Sequence, residues 1–254
     1  MGPVALRALA GLPEVGPGED LARLIAGALG ETPLAAGSVV AIAHTVVSKA
    51  EGAVVELGGV TPGPRALELG DEMDKDPRLI QVVLDESAEI LRAERGVLIC
   101  RTAHGFVCAN AGVDLSNAGG AEPGEVAVLL PRDPDGSART IRGALAAITG
   151  CSPAVMITDS FGRAWRHGQV DVAIGLAGLA PLDDWRGRAD ADGLELRATW
   201  LAVADAAAAA SDLARAKDSR EPVVVIDGLD RFVSAADGPG ALSLLRPLAE
   251  DMFR

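Results

Sequence analysis

The sequence predicts a mixed α/β (α+β) chain, and three observations carry that prediction. Short apolar runs rich in Val and Ile alternate with stretches whose apolar residues recur at helical spacing. Glycine (30) and proline (15) punctuate the chain often, as many turns require. Apolar residues make up 49% of 254, enough for a substantial core in one large domain or two small ones.

The elements follow in order. DLARLIAGAL, Asp20 to Leu29, has an acidic start and a helical apolar face. Ser38 to Ala43 is a buried strand, and His44 to Gly52 ends it in a turn or short helix. Pro64 to Met73 and Arg78 to Leu91 are predicted helices; Leu79, Ile80, Val83, Leu84 and Ala88 share a face in the second. Gly96 to Ala111, broken by Gly105, is a two-strand pattern. Glu125 to Leu130 is a strand closed by Pro131, and Ser137 to Thr149 a helix opened by Asp135-Gly136-Ser137. Pro153 to Thr158 is a strand ending at Asp159, and Val170 to Leu179 a further apolar run. Ala198 to Ala216 is the longest predicted helix, Pro222 to Ile226 a late strand, and Ala241 to Met252 a short terminal helix. Domain boundaries near Pro131 to Gly136 or Leu182 to Gly193 stay open; neither stretch resembles a long disordered linker.

Several function classes are disfavoured. A net charge of -13 argues against a nucleic-acid-gripping surface, and four Phe, three Trp and no Tyr leave little for base stacking. Neither a signal peptide nor a membrane span is evident, so the cytoplasm is the expected location, with no membrane partner. Cys100, Cys108 and Cys151 are odd in number and lack a CxxC, which disfavours a disulfide framework and a structural zinc site. Cys108 reads as a small core residue. No P-loop, GxGxxG or GxSxG motif is present.

In open α/β architectures ligands gather beyond the carboxyl ends of strands. Polar residues cluster there at three places: His44, Thr45 and Lys49; Asn110, Asp114, Ser116 and Asn117; and Asp159, Ser160, Arg163 and Arg166. Asp114 and Asp159, with the Ser160 hydroxyl as a further hard oxygen, could together hold Mg2+ or Mn2+ with phosphate oxygens completing the shell, if the fold brings them to one place. Lys49 could bridge phosphates, and Arg163 and Arg166 could clamp a carboxylate or phosphate. Turn caps and solvated side chains would give the same local patterns.

GLPEVGPGEDL, VVSKAEG, HGFVCANAGVDLSN, LLPRDPDGSARTIR, ITDSFGRAWRHG, VAIGLAGL, ATWLAVADAAAAASDLARAK and PVVVIDGL follow one another in that order. With these blocks, from Gly11 to Gly228, the chain resembles the coenzyme F420-0:L-glutamate ligase (F420 gamma-glutamyl ligase) family, in its stand-alone form without a C-terminal nitroreductase-like domain. The resemblance implies a distinctive mixed α/β fold, one ligase-like unit over 1–254, and an intertwined homodimer with its site near the interface. It implies a GTP-dependent amide ligase that joins L-glutamate to F420-0, then adds γ-linked glutamates, releasing GDP and phosphate. Mg2+ or Mn2+ is implied as cofactor and K+ as a stimulant. By the matching motifs, Asp114, Asp159 and Ser160 are implied metal ligands. Leu12, Pro13, Glu14, Val15, His44, Thr45, Lys49 and Asn117 are implied GTP contacts, and Leu213 to Glu221 a late loop against the nucleotide. His44 stands where serine is common, Ser160 replaces threonine but keeps the hydroxyl, and Ala216 replaces a common glycine. The alternatives are a related ligase for another amino acid or carboxylate acceptor, a metal-dependent phosphatase or hydrolase, and a nucleotide-binding regulatory protein.

Overall fold

A computed structural model describes residues 2–115 and 124–251. It begins with a short strand that the sequence reading did not include, β1 (Ala5–Ala8). α1 (Leu21–Ala28) lies inside its expected span, and the Asp20 side chain accepts from the Arg23 N–H at 3.1 Å as its cap. β2 (Val39–Ala43) runs directly into α2 (His44–Ala50), so the turn or short helix is a helix. β3 (Val54–Glu56) follows, then α3 (Pro64–Met73), which matches its predicted bounds.

The next boundary differs from the expectation. α4 spans Pro77–Asp85 only, and Ser87–Glu94 is β4 rather than the end of a helix reaching Leu91. β4 pairs antiparallel with β5 (Val97–Thr102) across Arg95-Gly96, both at positive φ (54° and 73°). That turn suits a two-residue hairpin, and the hairpin outcompetes the helix propensity of Ala, Glu, Leu and Arg. β6 (Val107–Ala109) completes the predicted two-strand region, and β7 (Val126–Val128) falls within Glu125 to Leu130.

α5 (Pro134–Thr149) starts three residues before the predicted Ser137, because Asp133 rather than Asp135 caps it and Pro134 takes the first turn. β8 (Ala154–Arg163) runs well past the predicted end and forms a hairpin with β9 (Arg166–Ala177). β10 (Leu182–Asp184) pairs with β11 (Trp200–Ala202), which takes the first part of the predicted Ala198 to Ala216 helix. The remainder is α6 (Val203–Ala214), so at 12 residues it is shorter than the 16 of α5. After β12 (Val223–Asp227), the expected tail helix is replaced by short 3-10 turns at Ala241–Leu244 and Leu248–Glu250, with Pro247 breaking the run between them.

The central sheet has the order β1-β12-β2-β8-β9. β2 and β8 are parallel, aligned from Val39↔Ala154 to Ala43↔Thr158; the other pairings in this sheet are antiparallel. Successive strand residues face opposite sides. Val40, Ile42, Val155, Ile157, Val223 and Val225 therefore join one core with Ile25 of α1 and Ile141 and Leu145 of α5. Val39, Ala41, Met156, Val224 and Ile226 join the other with Ala204, Ala207 and Ala208 of α6. The alanine face of α6 lets it lie close to the sheet. The sheet is thus covered on both faces, which explains why its strands read as unbroken apolar runs.

A second region packs α3 and α4 on the β4-β5-β6 sheet through Leu69, Ile80, Val83, Leu98 and Cys100. The β3-β7 pair forms a small core with Leu57 and Val82. Arg142 of α5, 4% exposed, donates to the carbonyls of Pro153, Ser234 and Ala235 and to Asp237 at 2.6 Å. It ties the last segment of the chain to the sheet's cover. Among the described residues no helix is long and apolar enough to cross a membrane.

Candidate active site

A cleft of about 770 Å³ opens at the carboxyl ends of the parallel pair β2 and β8. Its lining is drawn from separated stretches of chain: Leu12 to Val15, Ala43 to Lys49, Cys108 to Asp114, Thr158 to Gly162 with Gln169 and Asp171 across the hairpin, and Asp212 to Pro222. The first wall is built by the abrupt β2-to-α2 junction. His44 and Thr45 occupy the first helical positions and are buried (3% and 8% exposed). Lys49 follows one turn after Thr45, on the same side of the helix. Its ammonium lies 2.6 Å from Glu14 Oε1, joining α2 to the Leu12 to Val15 stretch.

The second wall is the end of β8. Asp159 Oδ1 accepts the Ser160 N–H at 2.7 Å and lies 3.3 Å from His44 Nε2. Ser160 Oγ donates to Asp171 Oδ1 at 2.7 Å, directly across the hairpin. Thr158 Oγ1 donates to Asp171 Oδ2 at 2.7 Å, and the Arg215 guanidinium pairs with the same carboxylate. Arg215 also donates to Thr158 Oγ1 at 2.8 Å and to the Pro222 carbonyl at 3.1 Å, closing the neck of the loop between them. Lys217, from that loop, places its Nζ 2.7 Å from Ser160 Oγ.

The third wall carries Asp114, whose backbone N–H and C=O both bond Val128, at 3.0 and 2.8 Å. Before it, Asn110, Ala111 and Gly112 take successive positive φ values of 50°, 53° and 74°. This left-handed turn is costly for the two non-glycine residues. At Gly112 a β-carbon would fall 2.7 Å from Leu130 Cγ, so the close approach needs glycine. Cys108 lies behind this turn, 6% exposed, with its thiol pushed up to about 12 by burial, then by the Asp159 and Cys100 charges. At neutral pH it is a packed thiol rather than a nucleophile.

Leu12, Pro13, Glu14, Val15, His44, Thr45, Lys49, Asp114, Asp159 and Ser160 thus all line one cleft. Asn117 and Ser116 lie outside the described residues. Asp159 and Ser160 stand within β8 rather than on a turn after it. Arg163 serves the hairpin, donating to the carbonyls of His167 and Gly168, and neither it nor Arg166 is among the lining residues described above. Sequence reasoning did not single out Thr158 or Asp171, and it reached Arg215 only as part of the late loop Leu213 to Glu221, of which Arg215, Ala216, Lys217, Arg220 and Glu221 line the cleft. A lone carboxylate inside VDVAIGLAG was the signal for Asp171, since an unpaired charge is costly in an apolar strand.

The donor set fits a hard divalent cation. Among the described residues no group of three or more His, Cys, Asp or Glu forms a ready cage. Two carboxylates and a hydroxyl, all oxygen, are what Mg2+ or Mn2+ uses when phosphate oxygens and water supply the rest. The ammonium of Lys217 already sits as a cation on the Ser160 oxygen.

A family model described as F420-0:Gamma-glutamyl ligase matches residues 11–228, a span containing every lining residue named above. The chain belongs to the F420-0:gamma-glutamyl ligase family. It is therefore an enzyme, a ligase of that family's general activity. It is similar to the coenzyme F420:L-glutamate ligase of Methanothermobacter thermautotrophicus, with 44% identity over 99% of each chain. The protein of that name from Methanopyrus kandleri is 44% identical over 95% of this chain and 94% of its own. The one from Methanocaldococcus jannaschii is 39% identical over 92% and 90%. The mixed α/β architecture described above is thus that of an F420-0:gamma-glutamyl ligase family member.

Proposed function

We propose that the chain joins L-glutamate to the free carboxylate of F420-0 through an amide, adds further γ-linked glutamates, and converts GTP to GDP and phosphate. The observation that carries this reading is the gathering of Asp114, Asp159, Ser160 and Lys49 on one cleft inside the family span. A carboxylate does not yield an amide unaided, because oxide is a poor leaving group. A carboxylate oxygen of F420-0 attacks the γ-phosphorus of GTP, the bond to the β-phosphate oxygen breaks, and GDP departs. The amine of glutamate then attacks the acyl carbon, phosphate leaves with the bonding electrons, and the amine loses its proton. Lys49 offsets phosphate charge, Glu14 holds the ammonium in place, and the cleft aligns acceptor and nucleotide. Bound Mg2+ or Mn2+ supplies neutralisation of phosphate oxygens, and Asp114, Asp159 and Ser160 are the residues that would hold it. His44, Thr45, Asn117 and Leu12 to Val15 complete the GTP contacts, with K+ as a stimulating ion. The same reading includes one unit over residues 1–254, an intertwined homodimer and a cytoplasmic location.

The test combines purified protein with F420-0, glutamate, GTP and Mn2+, followed by mass spectrometry. Product mass should rise by whole glutamyl units with matched GDP release. GDP release without mass growth would indicate a phosphatase. Growth only with another acceptor or amino acid would indicate a different ligase. Absence of both under Mg2+ and Mn2+ would overturn the reading.

A further inference from the structure

We propose that Asp171 is a positioning residue for the cation subsite: by accepting the Ser160 proton it turns that hydroxyl's lone pairs toward the cleft. The inference rests on the metal reading above and assigns a role to a side chain outside the expected ligand set.

Asp171 is 2% exposed, and its partner Arg215 has a side chain 9% exposed. Burying such a pair gives little net stability, since desolvation offsets much of the attraction. Its chemistry is more specific. An ionised carboxylate only accepts hydrogen bonds, whereas a hydroxyl both donates and accepts. Oδ1 takes the Ser160 proton and Oδ2 the Thr158 proton, so both hydroxyls are fixed as donors toward Asp171. Each then presents lone pairs away from it. Those of Thr158 receive Arg215, and those of Ser160 receive the Lys217 ammonium. A lysine ammonium can only donate, so its position marks the acceptor side of Ser160 Oγ. Arg215, Thr158 and Ser160 take three of the roughly four acceptor sites of the Asp171 carboxylate, and the side chain is buried behind Ser160. The role proposed for Asp171 is therefore exerted through Ser160. The cross-strand register Ser160↔Asp171 sets this pairing, and the β8-β9 hairpin keeps it in place.

The test measures Mn2+ uptake, with a non-hydrolysable GTP analogue present, from loss of the free Mn2+ paramagnetic resonance signal. Wild type, Asp159→Asn, Ser160→Ala, Asp171→Asn and the Ser160→Ala/Asp171→Asn pair are compared as full chains. Asp171→Asn should weaken Mn2+ about 10- to 100-fold, as loss of an outer-shell partner does. The pair should be no weaker than Ser160→Ala alone, because the two residues act in series. Wild-type affinity in Asp171→Asn, or losses that multiply in the pair, overturns the proposal. If Asp171→Asn does not fold, Asp171→Asn/Arg215→Gln removes both charges together, and the same comparison is made in that background. Uptake by wild type that Asp159→Asn abolishes but Asp171→Asn leaves intact sinks only the Asp171 role. Absence of uptake in wild type sinks the metal reading as well.

Discussion

Lys49 shares the cleft lining with the cations Arg215, Lys217 and Arg220 and with the carboxylates of Glu14, Asp114, Asp159, Asp171, Asp212 and Glu221. On the proposed reading a triphosphate adds negative charge to that balance, and Lys49 is held ready by Glu14 at 2.6 Å. Lys49→Met should lower kcat/KM for GTP by about 10²-fold, the scale of losing one preorganised charge donor, with an unchanged circular dichroism spectrum. Asp114→Asn and Asp159→Asn should each raise the Mn2+ concentration for half-maximal turnover, and unchanged metal dependence in both would remove them from the cation site. His44 contributes differently: Nε2 meets Asp159, while buried Nδ1 has no hydrogen-bond partner among the described residues. At this scale the sequence was informative wherever a polar residue followed an apolar run, as at Asp159 and Lys49. At Asp171 it offered only a lone carboxylate in an apolar strand, whose meaning depends on the hydroxyls and guanidinium brought to it from β8 and the end of α6.

Elements with strong local signals were legible, and those made by pairing were not. α3 could be read residue for residue because Pro64 opens it and Asp74, at φ 53°, closes it. β4 was hidden by helix-forming residues whose partner strand decides their conformation, and β11 by its junction with the alanine-rich α6. The parallel pairing of β2 with β8, which places two strand ends side by side, has no local sequence signal at all. For α5, the Asp133 carboxylate accepts the Gly136 N–H at 2.9 Å. Asp133→Ala should cost about 1 kcal/mol as a lost cap. In a chain this long that is a fall in Tm of about 2–4 °C, measurable by calorimetry.

Across the whole molecule, stability depends on buried groups to which the proposed chemistry assigns no part. Arg142→Met should cost about 1–3 kcal/mol, because it leaves without a donor the carbonyls that a guanidinium now satisfies, while the half-exposed Asp237 returns to water; denaturant unfolding would show it. Alkaline pH acts through thiols. Burial raises Cys100 and Cys108, the latter to about 12, so the folded state keeps protons that the unfolded chain releases near pH 9. Stability from these groups is complete below pH 9 and is lost as pH rises from there toward 12, by about 1.4 kcal/mol per pH unit for a single thiol. A pH series of unfolding midpoints checks the slope, and Cys108→Ala should flatten it. The order β1-β12-β2-β8-β9 has a temporal meaning too. β12 lies between β1 and β2 but is the last strand in sequence, so a ribosome must extend the polypeptide past Asp227 before the sheet can knit together. Nascent chains halted earlier should remain open to protease digestion, and the enzyme should emerge active in one late step rather than by degrees.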